Sequence, residues 1–268
     1  MTVRGGPGGR PGYEPAGPVP REGPMTAEEF WARKSEEDGV EILVLRHPPV
    51  NALSQGVLEG LERELTRLEA TPSVRCLVLT GDGAYFSAGA DLKEMATLDP
   101  TRALPLVQRA HQILDRLSGL AAPTIAAING LAVGGGLELA LACDLRIAGE
   151  SAKFGAPEVQ YGLMPAYGGT QRLPRVVGCA KAEELIFTAT MIPAAEALRI
   201  GLVNKTVAAG QELRAARDWA HTIGQRAPRA VRAAKRALRE GIERSLAEGV
   251  RRESELFATE VAPSRDLV

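Results

Sequence analysis

An α/β layered fold is what the sequence predicts, on three observations. From residue 40 onward, short apolar runs of strand character alternate with longer stretches of helical periodicity. Glycine and proline punctuate the junctions between them. After about residue 205 the pattern becomes helical and richly charged. The 268 residues, 45% hydrophobic, are enough for one large domain or a domain with an appendage.

Residues 1–24 are mostly Gly, Pro, Arg and Glu, a composition that buries too little apolar surface to offset the entropy of ordering, so a disordered tail is expected there. Met25 is a candidate translation start, with Thr26–Glu29 as the first ordered element. VEILVLR (40–46) reads as a strand stopped by Pro48-Pro49. In 56–70, Leu58, Leu61, Leu65 and Leu68 recur at helical spacing, which makes an amphipathic helix. CLVLTG (76–81) reads as a buried strand ended by the turn Gly81-Asp82-Gly83. A helix over roughly 103–119 follows, then a strand at 124–128 opened by Pro123, a helix starting within Gly134–Gly136, and a strand at 144–148. No period of 20–50 residues recurs, so a solenoid of identical units is not expected.

The formal net charge of -1, from 32 basic and 33 acidic residues, gives no global field to draw the chain to nucleic acid or an anionic membrane. The three cysteines (Cys76, Cys143, Cys179) are far apart and lack a CxxC or a nearby His cluster, which argues against a disulfide framework and a structural zinc. No apolar run is long enough to span a bilayer, and the basic N-terminus lacks the apolar core of a secretory signal. A cytoplasmic location is the expectation.

Three segments carry candidate chemistry. In TIAAINGLAVGGGLELALACDLRIA (124–148), Gly134, Gly135 and Gly136 open an almost wholly apolar helix. Such glycines either permit tight helix–strand packing or let the unsatisfied N–H groups of a helix N-terminus approach a ligand oxygen, as in an oxyanion hole. Glu138 lies one turn in, with no basic residue within a turn of it. Burial would raise its pKa and suit it to proton transfer, whereas exposure would leave it an ordinary solvated carboxylate. Glu158 lies in FGAPEVQYGLMP, a loop shaped by Gly155, Pro157, Gly162 and Pro165. Two carboxylates facing one site would supply a general acid and a general base; taken alone, Glu158 reads as a surface residue. In AYFSAGADLKE (84–94), small side chains at Ser87–Ala90 allow close approach of the Ala90 N–H; Asp91 reads as the N-cap of the helix beginning LKEM, and Lys93 as a solvated cation able to meet a phosphate.

These segments together resemble the crotonase (enoyl-CoA hydratase/isomerase) superfamily over roughly residues 40–262. SAGADLKEM, PTIAAINGLAVGGGLELALACDLRIA, FGAPEVQYGLMPAYGGTQRLPRVVG and AAEALRIGLVN match that family's blocks in order and spacing. The resemblance implies a ββα spiral core over 25–205 and a helical oligomerisation region over 206–268. It implies an enoyl-CoA hydratase that adds water across the double bond of a 2-enoyl-CoA to give 3-hydroxyacyl-CoA. Ala90 and Gly135 would hold the thioester oxygen through backbone N–H groups, Glu138 would act as base, and Glu158 would protonate Cα. Ala88, Ala90, Asp91, Leu92, Lys93, Gly134, Tyr161 and Tyr167 would line the acyl and CoA site. No cofactor beyond the CoA of the substrate, no metal and no membrane or nucleic-acid partner is implied; a homotrimer or dimer of trimers is. A double-bond isomerase is the alternative within the superfamily, and keeping both glutamates favours hydration.

Two departures from the family pattern stand out. Tyr167 takes a position usually held by Gly or Ala, and Tyr161 one usually Leu-like, so both add bulk beside the implied acyl pocket. The chain ends at SRDLV where similar proteins continue into a further helix. Two rival readings come from other classes. One is RNA binding through the basic run of Arg229, Arg232, Lys235, Arg236 and Arg239, against which a solvated amphipathic face with Val231, Ala234, Ala237 and Leu238 is the simpler explanation, no aromatic interleaving the run. The other is a non-catalytic CoA-binding subunit.

Overall fold

The computed structural model describes residues 29–96 and 99–260; the Gly/Pro-rich tail and the chain end discussed above lie outside them. The chain enters through β1 (Trp31–Ser35) and β2 (Val40–Leu45), then runs through α1 (Gln55–Glu69), β3 (Cys76–Gly81), β4 (Tyr85–Ser87), α2 (Leu92–Met95) and α3 (Pro100–Gly119). The middle holds β5 (Thr124–Ile128), β6 (Leu131–Val133), α4 (Gly135–Ala142), β7 (Leu145–Gly149), β8 (Lys153–Gly155), a 3-10 turn (Pro157–Tyr161), α5 (Gly169–Val177) and α6 (Cys179–Phe187). The last part holds β9 (Ile192–Pro193), α7 (Ala194–Arg199), β10 (Lys205–Val207), α8 (Glu212–Gly224), α9 (Pro228–Ile242) and α10 (Leu246–Glu260).

Two sheets result. The larger has the order β1-β2-β3-β5-β7-β10, parallel except for β1, and the smaller the order β4-β6-β8-β9, parallel except for β9. Each turn of the chain lays one strand in the large sheet, the next in the small sheet, and then a helix: β3-β4-α2, β5-β6-α4 and β7-β8 followed by the 3-10 turn. This is the ββα spiral that the resemblance implied. It is a structural repeat without a sequence period, because the successive large-sheet strands start at 40, 76, 124 and 145, at unequal intervals. The strands and helices expected between residues 40 and 148 all form, α3 starting three residues earlier than its periodicity suggested.

Strand parity divides the core. Leu43, Leu45, Leu77, Leu79, Ala126 and Ile128 face inward onto α1, α3 and α4, among Leu61, Leu65, Ile113, Leu114 and Leu137. Val40, Ile42, Cys76, Val78, Ile125, Ala127 and Ile147 face the other way, under Ala215, Ala216 and Ala220 of α8. Alanines at these three positions let α8 lie close on the sheet.

The basic run of α9 is used differently from the solvated face expected of it. Lys235 Nζ lies 2.7 Å from Asp144 Oδ2 and donates to Ala122 O at 3.0 Å, and Arg239 Nη2 meets Asp144 Oδ1 at 2.8 Å. Arg232 Nη2 donates to Pro72 O at 2.6 Å and Val74 O at 3.0 Å. Burial would raise the Asp144 carboxyl, but Lys235 and Arg239 outweigh it and hold it below the usual range. These cations therefore dock α9 onto the strand ends. Its apolar side is partly turned out, with Leu238 75% and Ile242 69% exposed. The partners, near residues 72, 122 and 144, are remote in sequence, which is why helical spacing alone did not reveal the docking.

Candidate active site

The site sits where the spiral stacks the N-terminus of α4 against the loop after β4. Ser87 Oγ donates to Asn51 O at 2.7 Å, Ala88 N to Val50 O at 3.0 Å, and Leu53 N to Gly89 O at 2.7 Å. Leu53 and Ala90 form an isolated parallel bridge, a single-residue counterpart of a small-sheet strand in the first turn of the spiral. Close approach needs glycine on both sides. A Cβ on Gly136 would lie 2.2 Å from Ser87 O, and one on Gly89 2.8 Å from Val133 O. One on Gly135 would lie 3.2 Å from Ala90 N, so the two backbone positions singled out from the sequence are brought together. Gly135 N belongs to the first turn of α4, where N–H groups have no partner within the helix and the dipole is positive. Gly134, at φ 52°, makes the turn into that helix in a conformation that disfavours a side chain.

Glu138 is 4% exposed, and its Oε1 accepts from Tyr167 N at 2.8 Å and Gly169 N at 2.6 Å. Gly169 opens α5, so the carboxylate rests on the positive end of a second helix. Burial pushes Glu138 up to about 7, opposed by the Gly169 and Tyr167 amides and reinforced by the nearby Glu158. Glu158, in the 3-10 turn, has both carboxylate oxygens buried without a hydrogen-bond partner, and burial raises it as well. Its Oε1 lies 3.1 Å from where a Gly134 Cβ would stand, which places it over the same α4 N-terminus. Gly134, Gly135, Ala90, Glu138 and Glu158 thus line one site. A buried carboxyl oxygen without a partner is costly unless a bound molecule satisfies it.

The remaining predicted residues fall at its edges. Tyr167 is 3% exposed, and its ring lies 3.2 Å from a Gly135 Cβ position, so the added bulk does stand beside the site. Tyr161 is 60% and Leu92 53% exposed, and Lys93 is exposed on α2. Asp91 Oδ1 accepts from Lys93 N at 2.8 Å and Glu94 N at 3.4 Å, the cap expected of it. Ala88 is half-buried in the loop.

Sequence reasoning missed the amides of Tyr167 and Gly169 as the groups that hold Glu138. The paired glycines of AYGGT, just before a helical stretch, were the available signal. Among the described residues no cluster of His, Cys, Asp and Glu could hold a metal ion, and no helix is long and apolar enough to cross a membrane.

Comparison with known proteins identifies the family. The family described as Enoyl-CoA hydratase/isomerase matches residues 35–265. The human mitochondrial methylglutaconyl-CoA hydratase is 38% identical over 95% of this chain and 79% of its own length. The short-chain-enoyl-CoA hydratase of Clostridium acetobutylicum is 40% identical over 83% of this chain and 86% of its own. A crystal structure of an enoyl-CoA hydratase from Bacillus anthracis superposes with a TM-score of 0.85 at 38% identity, covering 89% of this chain and 93% of that one. The chain therefore belongs to the enoyl-CoA hydratase/isomerase family, and is an enzyme of the crotonase superfamily of the hydro-lyase kind.

Proposed function

We propose that the protein adds water across the double bond of a 2-enoyl-CoA to give the 3-hydroxyacyl-CoA, with Glu138 and Glu158 dividing the proton transfers. The observation that carries this reading is the pair itself: two buried carboxyls of raised pKa beside the Gly135 helix terminus and the Ala90 amide. Such a pair loses its protons in two steps, and the form that holds one proton between its members can both give and accept. The Tyr167 and Gly169 amides on Oε1 stabilise Glu138 once it is ionised, and its Oε2 is left to take a proton from water. Glu158 takes no hydrogen bond from another residue that would stabilise its charge, which suits it to deliver a proton.

The step then balances. Water oxygen bonds to Cβ as its proton passes to Glu138, and the double-bond electrons move toward the thioester oxygen. The Ala90 and Gly135 N–H groups receive that enolate-like charge. Glu158 gives its proton to Cα, and the proton left on Glu138 returns to Glu158 through solvent. Moving a double bond would require no water and a single carboxyl, so the second glutamate favours hydration over isomerisation. All three similar proteins named above are themselves named as hydratases.

Val159, Tyr161, Leu163 and Met164, all exposed, follow Glu158 and give an acyl chain an apolar rim, while Tyr167 takes up space beside Gly135. The bulk of Tyr167 beside Gly135 favours a short acyl chain, and exposed Lys93 is the cation we assign to a CoA phosphate. Crotonyl-CoA is the first substrate to test, and its enoyl absorbance should fall on addition of the enzyme. Persistence of that absorbance across short, branched and aromatic enoyl esters would leave a CoA-binding protein without hydratase activity.

The apolar residues exposed on α9 and α10, Leu238, Ile242, Leu246, Val250 and Phe257, support assembly of several copies, a trimer or a dimer of trimers. Sedimentation should give three or six times the chain mass; a monomer at micromolar concentration would contradict it.

A further inference from the structure

We infer that Arg172 is a positioning residue for Glu138: braced on Asp115, its guanidinium fixes the turn whose two amides hold the carboxylate. This rests on the reading of Glu138 as the base. Arg172 lies on α5, where Nη1 donates to Tyr167 O at 2.9 Å and Nη2 to Asp115 Oδ1 on α3 at 2.5 Å. Tyr167 is gripped from both ends, its N–H by Glu138 and its carbonyl by Arg172. The guanidinium occupies the space over Gly168, where a Cβ would come within 2.1 Å of Nη1; Gly168 itself adopts φ 102°. The turn is thus shaped for this cation as well as for Glu138.

The Arg172 side chain is 16% exposed but Asp115 is 71% exposed. An ion pair ending on so exposed a carboxylate contributes little to stability, so its consequence is geometric. Arg172 makes no hydrogen bond to Glu138 and acts through the peptide between them. A guanidinium can meet the carbonyl and the carboxylate at once in fixed directions, which an ammonium cannot. The charged and titratable groups facing Glu138 are Glu158, Arg172 and the Tyr167 phenol. Arg172 is the cation among them and favours the ionised form.

The test measures kcat, KM and the pH profile for Arg172→Gln, Arg172→Lys and Asp115→Asn, beside Glu138→Gln. Arg172→Gln should lower kcat by about tenfold or more while KM stays within about twofold, the pattern of a displaced reacting group with substrate contacts kept. Its acid limb should move to higher pH, because donors and a cation that favour the ionised Glu138 have loosened. Arg172→Lys should recover part of the rate, and Asp115→Asn should show the same displacement in weaker form. A wild-type rate and profile in Arg172→Gln, or a lost rate with an unmoved acid limb, would overturn the inference. Should Arg172→Gln not fold, Asp115→Asn decides: a displaced limb supports the brace and an unmoved one refutes it. Full activity in Glu138→Gln would instead remove the base assignment, a different failure.

Discussion

Glu138→Gln is expected to lower kcat for crotonyl-CoA hydration by about 10³-fold, and Glu158→Gln by a similar factor, with KM nearly unchanged. Loss of general acid–base catalysis accounts for roughly 10²–10⁴ in rate. The change in kcat follows from where the groups act: neither is needed to hold the CoA portion, and each exchanges a proton only as the bond to Cβ forms. Glutamine keeps an oxygen that can accept from the Tyr167 and Gly169 amides, so folding should survive. The pH dependence has a sign that the burial of the pair sets. Glu138 stands at about 7 and Glu158 is raised, so the rate should fall toward acid as the pair takes up a second proton, and toward alkali as it loses its last. The kcat/KM profile checks this. A profile flat through neutrality, or wild-type turnover in both variants, would refute the two-carboxylate reading.

Gly135→Ala is expected to lower kcat by about 10²–10³-fold, the scale on which removing one oxyanion donor acts. A Cβ there would lie 3.2 Å from Ala90 N, 3.2 Å from Tyr167 Cδ2 and 3.4 Å from Leu53 Cδ1, between the two amides proposed to receive the thioester oxygen. Each neighbour would have to give by tenths of an ångström, and the amides would no longer converge. Gly119→Ala, where a Cβ meets nothing within 4 Å, is the matched control and should keep near wild-type turnover. Equal kinetics in the two variants would mean that the Gly135 amide takes no part.

Much of this was legible in the residues. The strand at 124–128 and the helix opening at Gly135 announce themselves because a β-branched and alanine-rich run meets consecutive glycines, and the Asp91 cap follows from a carboxylate ahead of a short polar helix. What periodicity could not supply was long-range. Glu138 looks like a carboxylate stranded on an apolar helix until residues 167 and 169 fold back over it with two amides. The cations of α9 look like a solvated face until Asp144 and the carbonyls of Pro72, Val74 and Ala122 are brought beneath them. The small sheet was hidden for another reason: its strands are only two or three residues long, too short for alternation to register.

Incubation of the enzyme with crotonyl-CoA in ¹⁸O-labelled water is the most direct test of the claim that a water held between Glu138 and Glu158 adds to the acyl chain. The 3-hydroxyacyl-CoA should carry the label on its C3 hydroxyl, and its rate of formation should fall about 10³-fold in Glu138→Gln and Glu158→Gln alike. Label found only in a free carboxylate, or an unchanged thioester with wild-type enzyme, would contradict it.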